Sequence, residues 1–92
     1  MTIHQVAAET ALTDLPDRIV VSPEHGRLVM SPSRRYTTEG EVVRAGEVIC
    51  VVESGSSSVE VLAPCDAWVL AFLARDGERV GPGAPLVHLR EL

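Results

Sequence analysis

The chain has 92 residues, 46% of them hydrophobic, and a formal net charge of −5 at pH 7. This length supports one domain with a thin core, and the predominance of Val, Leu and Ala among the apolar residues is typical of a compact β core. The acidic balance and the three aromatic residues argue against nucleic acid, which usually requires basic patches interleaved with stacking rings. All eight cationic side chains are arginines, so the chain contains no lysine.

The first 17 residues differ in pattern from the rest of the chain. Their apolar positions are scattered and show no strand alternation before Pro16 interrupts the run. We interpret residues 1–17 as a flexible leader, disordered or at most one loose helix, that folds onto a partner. Residues 18–92 then form the predicted domain.

From Arg18 onward, short β-rich runs alternate with Gly, Pro and Ser, which indicates a succession of short strands. Trp68 and Phe72, four residues apart, are assigned to one strand with both rings on the core face. Cys50 lies inside an apolar run and is predicted to be a packed core residue. The predicted strands lie near residues 18–22, 26–30, 41–44, 48–54, 58–62, 67–73, 78–80 and 86–90.

These strands belong to an internal repeat. Residues 40–49 and 77–86 both read G-E-x-V-x-x-G before an apolar strand, and residues 22–26 and 63–67 share a small residue followed by proline. Two similar halves of short strands predict a flattened β-barrel or sandwich. The first half carries 4 extra residues, because Ser22 to Gly40 spans 18 positions and Ala63 to Gly77 spans 14. The loop at residues 31–38 that contains this insertion is a candidate functional loop.

Neither a signal sequence nor an apolar run long enough to cross a bilayer is present, so we expect a cytoplasmic protein with no membrane partner. Two cysteines do not make a disulfide framework. The histidines and cysteines show no paired-ligand spacing, so no metal site is expected.

The order and spacing of these motifs carry a resemblance to a known family. The stretches that carry it are S-P-x-x-G (22–26), S-P-S (31–33), E-G-E-x-V-x-x-G (39–46), I-C-V-V-E (49–53), A-P (63–64) and G-E-x-V (77–80). Through them, residues 19–92 resemble the biotinyl domain of the biotin carboxyl carrier protein of acetyl-CoA carboxylase, within the biotinyl/lipoyl family. The resemblance implies an all-β barrel-sandwich hybrid of two four-stranded pseudosymmetric halves. It also implies a hairpin between the fourth and fifth strands that presents a modified lysine.

This chain departs from the family at that hairpin. The family sequence E-A-M-K-M is replaced by Glu53-Ser54-Gly55-Ser56-Ser57, with Ser56 in the position of the lysine and Gly55 and Ser57 in those of the methionines. A serine hydroxyl cannot form the stable amide that holds biotin or lipoate, so no covalent cofactor is expected. Ala67 also replaces the glycine that is usual after A-P-x-x.

The extra loop at residues 31–38 resembles the protruding thumb of bacterial acetyl-CoA carboxylase carriers, which lies beside the biotin. In this chain it carries Arg34, Arg35 and Tyr36. A guanidinium fork suits phosphate and carboxylate, so these residues could contact a ligand or partner. The alternative is an ordinary solvated loop.

Other candidate residues also have structural alternatives. Gly55, Ser56 and Ser57 form either a contact site or a tight polar turn in which Gly supplies a positive φ. The repeat places His25 on one turn and Cys65 and Asp66 on the equivalent turn, which makes them weak candidates for acid–base or thiol chemistry. Nothing in the sequence shows that these three residues meet.

The preserved scaffold with an erased attachment sequence predicts a degenerate carrier without catalytic activity of its own. It would act by contact, as a scaffold or regulatory subunit of an acyl-CoA carboxylase-type or biosynthetic complex, such as one of fatty acid or polyketide biosynthesis. The alternative is an enzyme or small-molecule-binding protein that reuses the fold for a biosynthetic intermediate. Exposed sheet edges also allow self-association into a homo-oligomer.

Overall fold

The computed structural model describes residues 2–7, 9–11, 17–30 and 40–92. In this part of the chain no helix has the length and apolar character that a membrane span needs. The strands are β1 (Thr2–Ala7), β2 (Glu9–Ala11), β3 (Asp17–Val21), β4 (Gly26–Met30), β5 (Val42–Val43), β6 (Val48–Ser54), β7 (Ser57–Leu62), β8 (Ala67–Phe72), β9 (Arg79–Val80) and β10 (Pro85–Glu91).

The strands form two sheets, with the orders β1-β7-β6-β4-β9 and β2-β3-β10-β8-β5. Apart from β1 and β2, each sheet has four strands, two from each half of the repeat. Their pairings are antiparallel. The predicted all-β barrel-sandwich hybrid is therefore confirmed, and each of the eight predicted strands has its counterpart among β3 to β10.

The two halves repeat the same backbone hydrogen bonds, as expected for a pseudo-two-fold arrangement. Gly46 donates its N–H to the carbonyl of Ala63 at 2.9 Å, and its counterpart Gly83 donates to Ser22 at 2.8 Å. Both glycines have positive φ, 87° and 83°, which explains why the repeat keeps a glycine at this turn. Each half also has a register shift at the start of its last strand, in β6 opposite β7 and in β10 opposite β3.

The core lies between the two sheets and is built from small aliphatic side chains. Leu28 and Val69, at equivalent positions of the two halves, are both fully buried. Cys50 is 2% exposed, as predicted, and its burial raises the pKa of the thiol to about 12. The other core residues are Val20, Val43, Ile49, Val52, Val61, Ala63, Ala67, Ala74, Val80, Leu86, Val87 and Leu89.

The prediction that Trp68 packs in the core is wrong. Trp68 and Phe72 both belong to β8, but Trp68 is 44% exposed whereas Phe72 packs against the core. Against β10, the register of β8 skips Leu70, which leaves this residue unpaired in a β-bulge. One extra residue reverses the alternation of side chains, so the two rings lie on opposite faces.

Two segments within residues 1–17, β1 and β2, form strands where the sequence predicted a disordered or helical leader. β1 pairs parallel with β7, from Thr2 opposite Ser57 to Ala7 opposite Leu62, and β2 pairs antiparallel with β3. A strand can pair with an open sheet edge through its backbone groups alone, without alternating apolar side chains. The scattered apolar residues of β1 and β2 therefore did not indicate strands. The division of the chain into a leader and a domain stays a prediction.

Candidate functional site

The hairpin tip between β6 and β7 is a two-residue turn. Ser54 pairs with Ser57, and Gly55 and Ser56 connect them. Gly55 has a φ of 60°, and among the described residues positive φ is confined to glycines. Glycine with positive φ at the first central position is the signature of a type II′ turn. The turn leaves Ser56 exposed at the outermost point of the hairpin.

The tip does not fit a covalently held biotin or lipoate. Both groups are carried on a lysine amine in the family that the chain resembles, and the residue at that position here is Ser56. The chain contains no lysine that could replace it. The tip therefore offers a hydroxyl and backbone groups for noncovalent contact.

A shallow depression of about 330 Å³ lies beside the tip, between the hairpin and the turn that joins β3 to β4. Its polar side chains are His25, Arg27, Glu53, Ser54 and Arg79. A second depression adjoins it, lined by Glu24, His25, Ser54, Ser57 and Pro82. Thus, of the predicted candidates, His25 and the hairpin residues are brought together.

Strand register explains why two arginines line the same depression. Arg27 on β4 lies opposite Glu53 on β6 and, on its other side, opposite Arg79 on β9. All three side chains are exposed. Within the described residues, neither guanidinium group has a carboxylate within 4.0 Å or a hydrogen-bond partner. The depression therefore presents two unpaired guanidinium groups next to each other.

Gly26, at the start of β4, also lines this depression, and its lack of a side chain affects the packing of β4 on β6. A Cβ at Gly26 would clash with the carbonyl oxygen of Glu53 and lie 2.9 Å from Cγ1 of Val52. The backbones of β4 and β6 therefore approach more closely here than a side chain would allow. At the equivalent position in the second half, Ala67 is fully buried in β8, so the departure from the usual glycine does not prevent the turn from forming.

At the other end of β3, charged residues are paired with one another. Arg90 Nε donates to Asp17 Oδ1 at 2.7 Å and Arg90 Nη2 donates to Oδ2 at 3.2 Å, while His88 Nε2 lies 3.0 Å from Oδ2. The hydrogen bonds from Arg90, helped by His88, lower the pKa of Asp17 to about 2 although partial burial opposes this shift. The carboxylate of Asp17 is therefore paired with both Arg90 and His88.

Cys65 and Asp66 also lie at that end, away from His25. Burial raises the pKa of the Cys65 thiol, and a hydrogen bond with Arg18 partly opposes this rise. Asp66 accepts the N–H of Ala45 at 2.8 Å. The structure therefore places His25 on one turn of the pseudo-symmetric pair and Cys65 and Asp66 on the other, and it does not assemble a site from the three. In the described part of the chain no three His, Cys, Asp or Glu side chains lie together as metal ligands could.

Arg34, Arg35 and Tyr36 lie outside the described residues. Sequence reasoning did not identify Arg27 or Arg79, which the structure brings to the tip, and it named Glu53 only as part of the hairpin sequence. Both arginines occupy exposed positions at the start of a short strand, a position that by itself looks like an ordinary solvated surface. Only the order of strands in the sheet makes Arg27 and Arg79 neighbours, and one sequence does not give that order.

Comparison with known proteins places the chain in a family. A family model described as biotin-requiring enzyme matches residues 19–89. The dihydrolipoyllysine-residue succinyltransferase component of the mitochondrial 2-oxoglutarate dehydrogenase complex from Homo sapiens is 38% identical over 52 residues, which is 56% of this chain and 12% of the relative. The Bos taurus protein of the same name is equally similar and is covered to 11%. The chain thus spans only a small part of these relatives.

Among solved structures, a single-chain, multi-domain long-chain acyl-CoA carboxylase is similar, with a TM-score of 0.72 and 22% sequence identity. The match covers 95% of this chain and 8% of that one. At this level of identity the likeness concerns the fold alone.

Proposed function

Because the chain belongs to the biotin/lipoyl family and has no lysine, we propose that it is a non-biotinylated, carrier-like domain that works by contact. In this proposal it is a scaffold or regulatory subunit of an acyl-CoA carboxylase-type or other biosynthetic complex in the cytoplasm. The contact surface is the hairpin tip with the loop at residues 31–38. No cofactor is attached to the protein.

The replacement of the attachment sequence by a well-formed turn carries this proposal. Gly55 adopts the positive φ that a type II′ turn requires, so the hairpin has its own specific conformation without the lysine. A tip that keeps a defined shape can still be recognised by a protein that binds such domains. The names of the relatives support a partner of this kind, since one is a component of a dehydrogenase complex and another structure is a multi-domain carboxylase.

The test is a pull-down of the tagged protein from its native host, with bound proteins identified by mass spectrometry. We expect carboxylase-type or other biosynthetic subunits to be enriched. A matched bait carrying Arg44→Gln, an exposed change at the other end of the domain, should recover the same subunits. A bait with residues 54–57 replaced by a longer Gly–Ser loop should lose them. Equal recovery by all three baits would contradict a contact at the tip.

The absence of a covalent cofactor is tested separately. The intact mass of the protein purified from its native host should equal that of the polypeptide chain, allowing for removal of the first methionine. Ser56→Lys, incubated with a biotin ligase or a lipoate ligase, is the positive control for an attachable tip. A biotinyl or lipoyl mass increment on the unaltered protein would overturn the proposal.

The second candidate function is a small-molecule-binding protein or enzyme acting on a biosynthetic intermediate. The depression lined by His25, Arg27 and Arg79 favours it, because it combines a titratable imidazole with two cationic groups. His25→Ala should then abolish ligand binding or turnover without changing thermal stability. If His25→Ala instead recovers the same protein partners in the pull-down and shows no loss of ligand binding or turnover, the scaffold function is favoured.

A further inference from the structure

We propose that Arg27 and Arg79 together bind one oxyanion, a carboxylate or a phosphate, at the hairpin tip. This inference rests on the proposed function, because it names the chemistry by which the tip would recognise another molecule. The oxyanion belongs either to an acidic side chain of a protein partner or to a small acidic ligand. Both sources present the same group to the two guanidinium forks.

The first support is the arrangement of charge. Arg27 and Arg79 are directly opposite each other on antiparallel strands, where Cα atoms lie roughly 4.5–5.5 Å apart. Like charges in this relation destabilise a sheet. An oxyanion between the two side chains would turn this repulsion into attraction. The chain as a whole carries a net charge of −5, so the pair is a local departure from an acidic surface.

The second support is the lack of an internal partner. Glu53 lies opposite Arg27 on the side away from Arg79, so it can approach Arg27 but is not between the two arginines. In the structure it forms no ion pair with either one among the described residues. The carboxylate nearest in register therefore leaves the pair free to bind an external group.

The third support is access. The depression opens at the tip beside Gly55, and Gly26 also lines it. His25 lies at its rim, in both the first and the second depression. A molecule bound by the arginines would therefore also lie against the turn that replaces the family's lysine.

The experiment is an NMR titration of the purified, isotope-labelled full chain with three probes: inorganic phosphate, malonate and the peptide Gly-Glu-Glu-Gly. Because the chain has no lysine, every cationic side-chain signal apart from the histidines and the terminus comes from an arginine. We expect the Nε–Hε signals of Arg27 and Arg79 to shift and saturate, with little change at Arg44. Arg27→Gln and Arg79→Gln should each weaken binding about tenfold, as loss of a charge-assisted hydrogen bond does.

Arg44→Gln is the matched control, since it removes one positive charge from an exposed position next to Asp66, 3.5 Å away. Its affinity for the probe should equal that of the unaltered protein. Tighter binding of the peptide than of malonate and phosphate would identify a protein source, and the reverse order a small ligand. Shifts that fail to saturate with any probe, or that persist in both tip variants, would overturn the proposal. The titration contains no partner protein, so its failure leaves the pull-down result standing.

Discussion

The two ends of the domain carry equivalent rows of side chains with different chemistry. At the tip, one row across the first sheet reads Arg79, Arg27, Glu53 and Ser58. At the opposite end, where β10 ends, the equivalent row across the second sheet reads Val42, Trp68, Arg90 and Asp17. We refer to these as the tip row and the terminal row. The residues of each row pair in the same order across four strands, so their side chains can be compared position by position.

The terminal row neutralises its own charge, whereas the tip row does not. Arg90 holds Asp17 through two hydrogen bonds, while Arg27 and Arg79 are neighbours of like charge. Opposite charges directly across a sheet stabilise it slightly, and like charges destabilise it. The difference is what we expect if the terminal row stabilises the fold and the tip row binds an oxyanion as proposed above.

The largest effect is expected at Gly26, where β4 and β6 pack more closely than a side chain would allow. Gly26→Ala should lower the free energy of unfolding by about 3 kcal/mol, because the new Cβ would meet the Glu53 carbonyl and neither strand can move alone. The reverse change at the equivalent position, Ala67→Gly, should cost about 1 kcal/mol through lost burial and added chain entropy. Urea denaturation of both variants gives the comparison, and equal costs would show that the two ends are interchangeable.

The next effect tests the ion pairing of the terminal row. Asp17→Asn should lower stability at pH 7, because Arg90 and His88 lose a carboxylate partner. Glu53→Gln makes the same chemical change in the tip row and should have a smaller effect at that pH.

Acid should reveal the same pairing. The pKa of Asp17 is lowered from 3.8 to about 2, so its stabilisation is present above about pH 4 and is lost as the pH falls toward 2. Asp17→Asn should therefore lose less stability than the unaltered protein between pH 4 and pH 2. Parallel curves of unfolding free energy over this range would contradict the role given to Asp17.

A smaller effect is expected at the turn itself. Gly55→Ala should cost about 1 to 2 kcal/mol, because alanine tolerates a φ near 60° poorly. No atom of the described residues lies within 4 Å of the added Cβ, so the expected cost comes from backbone conformation and not from a clash with those residues. Ser56→Ala is the control and should leave thermal stability unchanged. A neutral Gly55→Ala would mean that the tip has no fixed turn.

The smallest effect has the opposite sign. Arg79→Gln should raise stability by a few tenths of a kcal/mol (~0.3) at low ionic strength, because it relieves repulsion with Arg27. The gain should shrink at 1 M salt, where charges are screened within about 3 Å. Arg90→Gln in the terminal row should lower stability instead. Thermal melts of both variants at low and high salt would show whether Arg79→Gln raises and Arg90→Gln lowers stability.

Much of the fold could be predicted from the sequence because the repeat signals are local. Gly46 and Gly83 mark turns that need a positive φ, and Cys50 lies in a run of apolar residues that reads as buried. The sequence placed Trp68 on the wrong face of the sheet, because residues 67–73 are all apolar and give no sign of the bulge at Leu70. β1 was missed for a related reason, since its pairing with β7 depends on a sheet edge formed far away in the chain.

The candidate site was less predictable than the fold. Ser56 and its neighbours were found because the resemblance supplies the position where the lysine would be. His25 was named as a candidate for chemistry with Cys65 and Asp66, and the structure instead places it beside the hairpin. Arg27 and Arg79 are 52 residues apart in sequence, and their pairing across two strands follows only from the position of β9 next to β4.

The pseudo-two-fold arrangement relates the hairpin tip to the place where β3 begins and β10 ends. Ser58 on β7 corresponds to Asp17 on β3, and Glu53 on β6 to Arg90 on β10. A circular permutant of residues 17–92, which lacks β1 and β2, could be opened between Gly55 and Ser56 with residue 92 joined to residue 17 by a short linker. Its chain would run through the second half first. Because each half keeps the same turn bonds, such a chain should fold to the same barrel with its former tip as its new termini.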